Sequence, residues 1–161
     1  MIKKKVKFNL GVIGLMAILL IFQSCDSNRI YEENLAISDN SWNKDDIKIF
    51  EFDVADTLSP LNVYINLRTT VDYPYSNIIV FMESVYPNGI ENKDTLEFIL
   101  AQPDGKWNGE SSGTIIEFQG LIASGGRFST QGTYKFSLQH AMREDDLNEV
   151  VDIGMRVEIK E

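Results

Sequence analysis

Cys25 is the only cysteine in the chain, and its position gives its thiol a defined chemistry. Four of the first seven residues are lysines, and Leu10 to Phe22 is a run of 13 residues without charge. A basic start followed by an apolar run of about 7–15 residues is typical of a secretory signal, whereas a membrane-spanning helix needs roughly 20 residues. The pattern resembles a bacterial lipoprotein signal. We therefore expect residues 1–24 to be removed and the Cys25 thiol to be acylated, which attaches the protein to a membrane.

Two other interpretations of this segment stay open, an ordinary signal peptide with a free cysteine nearby and an uncleaved signal anchor. If Cys25 is acylated, the mature chain has no thiol left. A disulfide, a cysteine nucleophile and a thiolate metal site are then excluded.

Other residues that could support catalysis or metal binding are few. His140 is the only histidine, and no nucleophile elbow surrounds any serine. Asp104 and the acidic residues that follow Arg143 lack the spacing of an EF-hand loop. A pair of catalytic carboxylates cannot be identified from spacing, because the two acids can come from any two strands. We expect no enzymatic activity, no metal and no cofactor.

Aromatic residues near predicted turns suggest a binding role instead. Trp107 lies in a tight polar loop, and Tyr73 and Tyr75 flank Pro74. Carbohydrate-binding sandwiches often place flat rings in such loops. Together with Arg143, these residues are the candidates for contact with a ligand or a protein partner, and a lipid-anchored carbohydrate-binding module is the alternative function.

The composition limits the classes of partner. Without residues 1–24 the chain keeps 137 of its 161 residues, enough for one domain with a sizeable core. The removed segment contains four lysines and no acid, so 11 basic and 24 acidic residues remain, a net charge of −13. This acidity argues against binding nucleic acid or docking by charge on anionic lipid.

Alternation of apolar and polar residues dominates from residue 47 onward, which is the period of a β-strand. About seven such runs are separated by turn signals, as in Pro87-Asn88-Gly89. We predict an all-β fold, an antiparallel sandwich that is Ig-like or jelly-roll-like, over residues 47–161. Residues 25–46 are predicted to be the lipidated N-terminus and a tether, Ala141 to Leu147 a short helix, and Ile49 the site of a bulge.

Several segments in order along the chain carry a resemblance to a known family. They are Arg29-Ile30-Tyr31-Glu32, Phe50-Glu51-Phe52, Tyr64-Ile65-Asn66-Leu67-Arg68, Tyr73-Pro74-Tyr75-Ser76-Asn77-Ile78, Asp94-Thr95-Leu96-Glu97, Gly105-Lys106-Trp107-Asn108-Gly109, Gly132-Thr133-Tyr134-Lys135-Phe136, Ala141-Met142-Arg143 and Asp152-Ile153-Gly154-Met155-Arg156-Val157. With the cysteine before them, they resemble the GldH family of gliding-motility lipoproteins.

The resemblance implies a cell-envelope component of the bacterial gliding machinery, linked to type IX secretion, and we expect it at the outer membrane. Its expected partners are the membrane, through the acyl chains on Cys25, and other envelope proteins of gliding or secretion. No small-molecule substrate is expected. The face of the membrane, periplasmic or outer, stays open.

Overall fold

The computed structural model describes residues 28–161, and the strands dominate it. They are β1 (Arg29–Ala36), β2 (Ser41–Asn43), β3 (Lys48–Val54), β4 (Leu61–Thr70), β5 (Asn77–Val85), β6 (Glu91–Ile99), β7 (Glu110–Ser112), β8 (Ile115–Gly126), β9 (Gly132–His140), β10 (Asp146–Asn148) and β11 (Val150–Ile159). A short 3₁₀ turn, Ser38–Asn40, follows β1. Within the described range no helix is long and apolar enough to cross a membrane.

Two antiparallel sheets face each other, which confirms the predicted all-β fold. The first has the order β1-β11-β4-β8-β7, and the second has the order β3-β9-β5-β6. Along the chain the eight longer strands alternate between the sheets, except that β5 and β6 are neighbours in one sheet. This is the jelly-roll arrangement rather than the Ig-like one. The short strands β2 and β10 pair separately.

The inward side chains of both sheets form one continuous core. Phe50, Phe52 and Val54 of β3 are buried while the residues between them are exposed, as the alternation predicts. Phe52 stacks on Phe136 with ring centroids 5.7 Å apart. Aromatic pairs of this kind add to the free energy gained by burial alone. The seven predicted strands are all present, and the core also contains the fully buried ring of Trp42.

Three local predictions are wrong. The segment from residue 141 to 147 forms bends and enters strand β10, because Leu147 is drawn into the core. No bulge occurs at Ile49, since β3 pairs with β9 in unbroken register and Ile49 simply faces outward. The predicted tether does not extend through residues 29–36, because these residues pair with β11 as a strand of the first sheet.

The two ends of the sandwich differ in what they carry. One end, here called the N-terminal end, holds the start of β1, residues 55–60, 86–90 and 127–131, and the last residues of the chain. The opposite end, here called the distal end, holds residues 71–76, 100–109 and 141–149. Any group attached just before β1 is therefore separated from the distal loops by the length of the strands, about 30 Å for ten residues.

Candidate interaction surface

The four predicted contact residues within the described range all lie at the distal end, but two of them face inward. Tyr73 is 4% exposed, and its hydroxyl donates a hydrogen bond to the carbonyl oxygen of Asn77 at 3.1 Å. Burial raises the pKa of Tyr73. Trp107 is half-buried against the core and pairs with Ala101 through a short backbone bridge. Neither ring is presented as a flat platform to a ligand.

Tyr75 and Arg143 are brought together. Both line a pocket of about 540 Å³ at the distal end, alongside Ile79 and Met142. The Tyr75 hydroxyl donates a hydrogen bond to the carboxylate of Glu144, which raises the pKa of Tyr75. This pocket combines an exposed cation with apolar walls, so it can accept a small side chain of a partner.

A second, more polar groove, which the sequence did not predict, lies on the outer face of the first sheet. Its volume is about 500 Å³, and it is formed where β1, β11, β4 and β8 run side by side, with residues 108–110 at its rim. The polar side chains in its lining are Glu32, Asn34, Asn66, Arg68, Asn108, Glu110, Glu117, Gln119 and Asp152. Most of them occupy outward positions of strands. In the sequence each one therefore looks like an ordinary solvent-exposed residue.

Hydrogen bonds tie these side chains together across the strands. The Asn66 amide nitrogen donates to Glu32 Oε1 at 3.1 Å and to Asn34 Oδ1 at 3.2 Å, and Gln119 Nε2 donates to Asn66 Oδ1 at 2.9 Å. Gly154 makes this network possible, because a Cβ there would overlap Asn34 Oδ1 and lie 2.6 Å from the carbonyl oxygen of Glu33. The amides are thus held in fixed positions.

Charge on Glu32 is maintained in this setting. Burial acts to raise the pKa of Glu32, but the hydrogen bond from Arg29, the charge of Arg156 and the Asn66 amide together lower it. Arg156 Nη1 lies 3.0 Å from Glu32 Oε2. Glu32 is therefore a carboxylate at neutral pH.

Asp152 is the buried acid of the groove. It is 3% exposed, and its Oδ2 accepts hydrogen bonds from Arg68 Nε at 2.6 Å and from Arg68 Nη2 at 2.5 Å. These bonds raise the pKa of Arg68. Asp152 Oδ1 has no hydrogen-bond partner among the described residues. A buried acceptor without a partner costs about 1–3 kcal/mol.

The groove favours positively charged groups and hydrogen-bond donors. Its lining contains four carboxylates, on Glu32, Glu110, Glu117 and Asp152, and the cation of Arg68, a net charge of −3 among the lining residues. The ion pairs of Glu32 with Arg29 and Arg156 offset part of this charge. A negative cleft concentrates cations near it. The aromatic residue in the lining, Phe118, packs its ring edge-on against Phe98 at 5.8 Å instead of facing the groove.

The described residues give little basis for catalysis by His140 or a metal. His140 is 2% exposed, and neither of its ring nitrogens has a hydrogen-bond partner within residues 28–161. In the same range no group of three or more His, Cys, Asp or Glu side chains is placed to hold a metal ion. Cys25, the predicted site of acylation, lies outside the described residues.

Comparison with solved structures finds only distant likeness. The chain is similar to the VP2 subviral particle of infectious bursal disease virus with a TM-score of 0.39 and 13% identity. The match covers 83% of this chain but 33% of that one, so the chain spans about a third of the viral protein. A likeness this distant carries no argument about function.

Comparison with sequences identifies the family. The model of the GldH lipoprotein family matches residues 29–157, which is nearly the whole sandwich. A gliding motility lipoprotein GldH homolog of Christiangramia forsetii is 34% identical over 147 residues, covering 87% of this chain and 90% of the relative. The gliding motility lipoprotein GldH of Flavobacterium johnsoniae is 32% identical over 160 residues, covering 95% and 98%. The chain belongs to the GldH family of gliding-motility lipoproteins.

Proposed function

We propose that this protein is an outer-membrane lipoprotein of the gliding machinery, linked to type IX secretion, and that it acts by binding other envelope proteins without catalysis. The observation that carries the proposal is the family match, which extends through every strand of both sheets except the last residues of β11. The lipoprotein-like signal that ends at Cys25 supports the membrane attachment.

Acylation of Cys25 would hold the protein firmly. A single acyl chain gives only marginal attachment, at about 0.8 kcal/mol for each buried CH₂ group, and a second chain makes the attachment stable. The sandwich then needs no membrane-inserted segment of its own.

The groove is our candidate for the protein-binding surface. Its net charge of −3 and its fixed amides suit a segment of a partner that carries lysine or arginine. The groove also runs from the middle of the first sheet toward its distal end. Arg68 is seven residues along β4 from Leu61, about 23 Å from the N-terminal end, so an anchored protein would present the groove to other envelope proteins.

Deletion and complementation test the proposal. Removal of the gene should abolish colony spreading and reduce secretion of surface adhesins, and the wild-type gene should restore both. Cys25→Ala should leave the sandwich folded but fail to restore spreading. Normal spreading and secretion in the deletion strain would contradict the proposal.

A charge reversal tests the groove itself. Glu110→Lys with Glu117→Lys changes two exposed acids in the groove and should reduce spreading. Glu91→Lys with Glu97→Lys makes the same change on an exposed edge strand of the other sheet and is the matched control. Equal spreading by the two double variants, at equal protein level, would exclude the groove as the contact surface.

The carbohydrate-binding alternative has less support. It depends on exposed rings, whereas Tyr73 is buried and Trp107 is half-buried. A glycan array with wild-type protein and with Trp107→Ala decides this alternative, because binding that depends on Trp107 would revive it.

A further inference from the structure

The distance between the predicted anchor and the fold is very short. Asn28 already belongs to the sandwich, because its carbonyl oxygen accepts a hydrogen bond from the Ile159 N–H at 2.8 Å. Two residues, Asp26 and Ser27, separate Cys25 from Asn28. An extended chain spans at most about 3.6 Å for each of the three residue-to-residue steps, or about 11 Å in total. The polar layer of a bilayer is about 5–8 Å thick on each side of its hydrocarbon core. Acyl chains on Cys25 therefore leave almost no gap between the N-terminal end and the lipid.

A projecting apolar side chain lies at this same end. Leu58 is 80% exposed, more than any other large hydrophobic residue in the part of the chain that the structure describes. Its position is fixed by its turn. The Leu58 N–H donates to Asp56 Oδ1 at 2.7 Å, and Arg127 Nε donates to the Leu58 carbonyl oxygen at 2.7 Å. Leu58 is thus held outward in an ordered loop.

The turn is joined to the anchored strand. The Lys160 N–H donates to the carbonyl oxygen of Pro60 at 2.8 Å, and the neighbouring residue Ile159 holds Asn28. Arg127, which bonds the Leu58 carbonyl oxygen, also places a cation beside the exposed leucine. An apolar side chain next to a basic one suits the boundary between lipid head groups and acyl chains. Asp56, the acid of this turn, is engaged by the N–H groups of Leu58 and Ser59.

We propose that the N-terminal end of the sandwich rests on the lipid surface, with Leu58 inserted among the head groups. This inference rests on the acylation of Cys25 in the proposed function and adds an orientation to it. The long axis of the strands then points away from the membrane. The distal loops and the groove face the aqueous side, where they are open to a partner protein.

Site-specific labelling of the acylated protein tests this orientation. The acylated chain has no free thiol, so a cysteine introduced elsewhere is a unique site for an environment-sensitive dye. We place it at Ala55, which is exposed in the loop of Leu58, or at Ile99, which is 53% exposed at the distal end and serves as the control. The protein is reconstituted in vesicles of phosphatidylethanolamine and phosphatidylglycerol that contain a lipid with a quencher in its head-group region.

The dye at Ala55→Cys should lose most of its fluorescence, and the dye at Ile99→Cys should keep it. Adding Leu58→Ser to Ala55→Cys should restore much of the lost signal. Equal signals at the two positions would overturn the orientation, and quenching that is unaffected by Leu58→Ser would overturn the insertion of Leu58 among the head groups. Mass spectrometry of the same samples separates the causes. Unmodified Cys25 would overturn the anchor and the orientation together, whereas acylated Cys25 with an unquenched dye at Ala55 would overturn only the orientation.

Discussion

His140 should make the stability of the sandwich depend on pH between about 5 and 6.5. The ring is 2% exposed and lies edge-on to Trp42, with centroids 5.3 Å apart. Burial lowers the pKa of His140, although the backbone groups of Asp145 and Trp42 act in the opposite direction. Neither ring nitrogen has a hydrogen-bond partner within residues 28–161. These backbone groups therefore lie near the ring without forming hydrogen bonds of ordinary geometry. Protonation would therefore place a charge in an apolar site.

The sign and the upper limit of the effect follow from linkage. Below pH about 6.5 the unfolded chain takes up a proton at His140 that the folded chain resists, so the free energy of unfolding decreases as the pH falls. One group can contribute at most about 1.4 kcal/mol per pH unit. From pH 6.5 to 5 the loss is at most about 1.6 kcal/mol, reached when the folded state stays unprotonated. Carboxylates change the free energy of unfolding mainly below this pH range. Because the pKa of Glu32 is lowered, the stability that its carboxylate contributes is lost only below about pH 4.5.

Denaturant unfolding of residues 26–161 at several pH values measures the effect. His140→Leu should remove the dependence between pH 5 and 6.5. At pH 7.5 it should cost little, because it removes two buried nitrogens that have no partner in the described chain. Trp42→Phe, which alters the packing around the ring but keeps the histidine, should retain the slope. The reasoning is refuted if the free energy of unfolding of His140→Leu falls with pH as steeply as that of the wild type.

Two further predictions concern the groove. Gly154→Ala should destabilise the fold by about 1–3 kcal/mol in denaturant unfolding, because its Cβ would overlap Asn34, whereas Gly126→Ala should cost less, since a Cβ there meets no atom of the described chain within 4 Å. Arg68→Ala should lower the free energy of unfolding by about 2 kcal/mol. This is less than for a fully buried pair, because the Arg68 side chain is 45% exposed. Adding Asp152→Ala to the same chain should recover more than half of that loss. If the losses of the two single variants simply add in the double variant, the result would argue against an ion pair between Arg68 and Asp152.

The strands could be predicted because their signal is local. A strand with one face in the core must alternate apolar and polar residues, wherever its partner lies in the chain. Phe50, Phe52 and Val54 illustrate this, and each is buried as predicted. The alternation does not say which strands pair, and this is why the sequence left the Ig-like and jelly-roll-like arrangements open.

The errors occur where distant contacts override local preference. Strand β1 is mostly polar, and it is a strand because its backbone pairs with β11, more than a hundred residues away. The segment from residue 141 to 147 has residues that favour a helix. It extends instead because Leu147 must reach the core and its backbone pairs with Trp42. Propensity is a weak prior when tertiary contacts oppose it.

The groove depends on the register of four strands, which no short segment encodes. Asn34 is opposite Gly154, Gly154 is opposite Asn66, and Asn66 is opposite Gln119, so three amides form one row across the sheet. A shift of one residue in any pairing would turn that strand's members of the row to the other face. The one local sign is Gly154, because glycine weakens the interior of a strand and often marks a site where another group approaches closely. Here the approaching group is Asn34, and the gap left by the missing side chain is what allows β1 to join the network across β11.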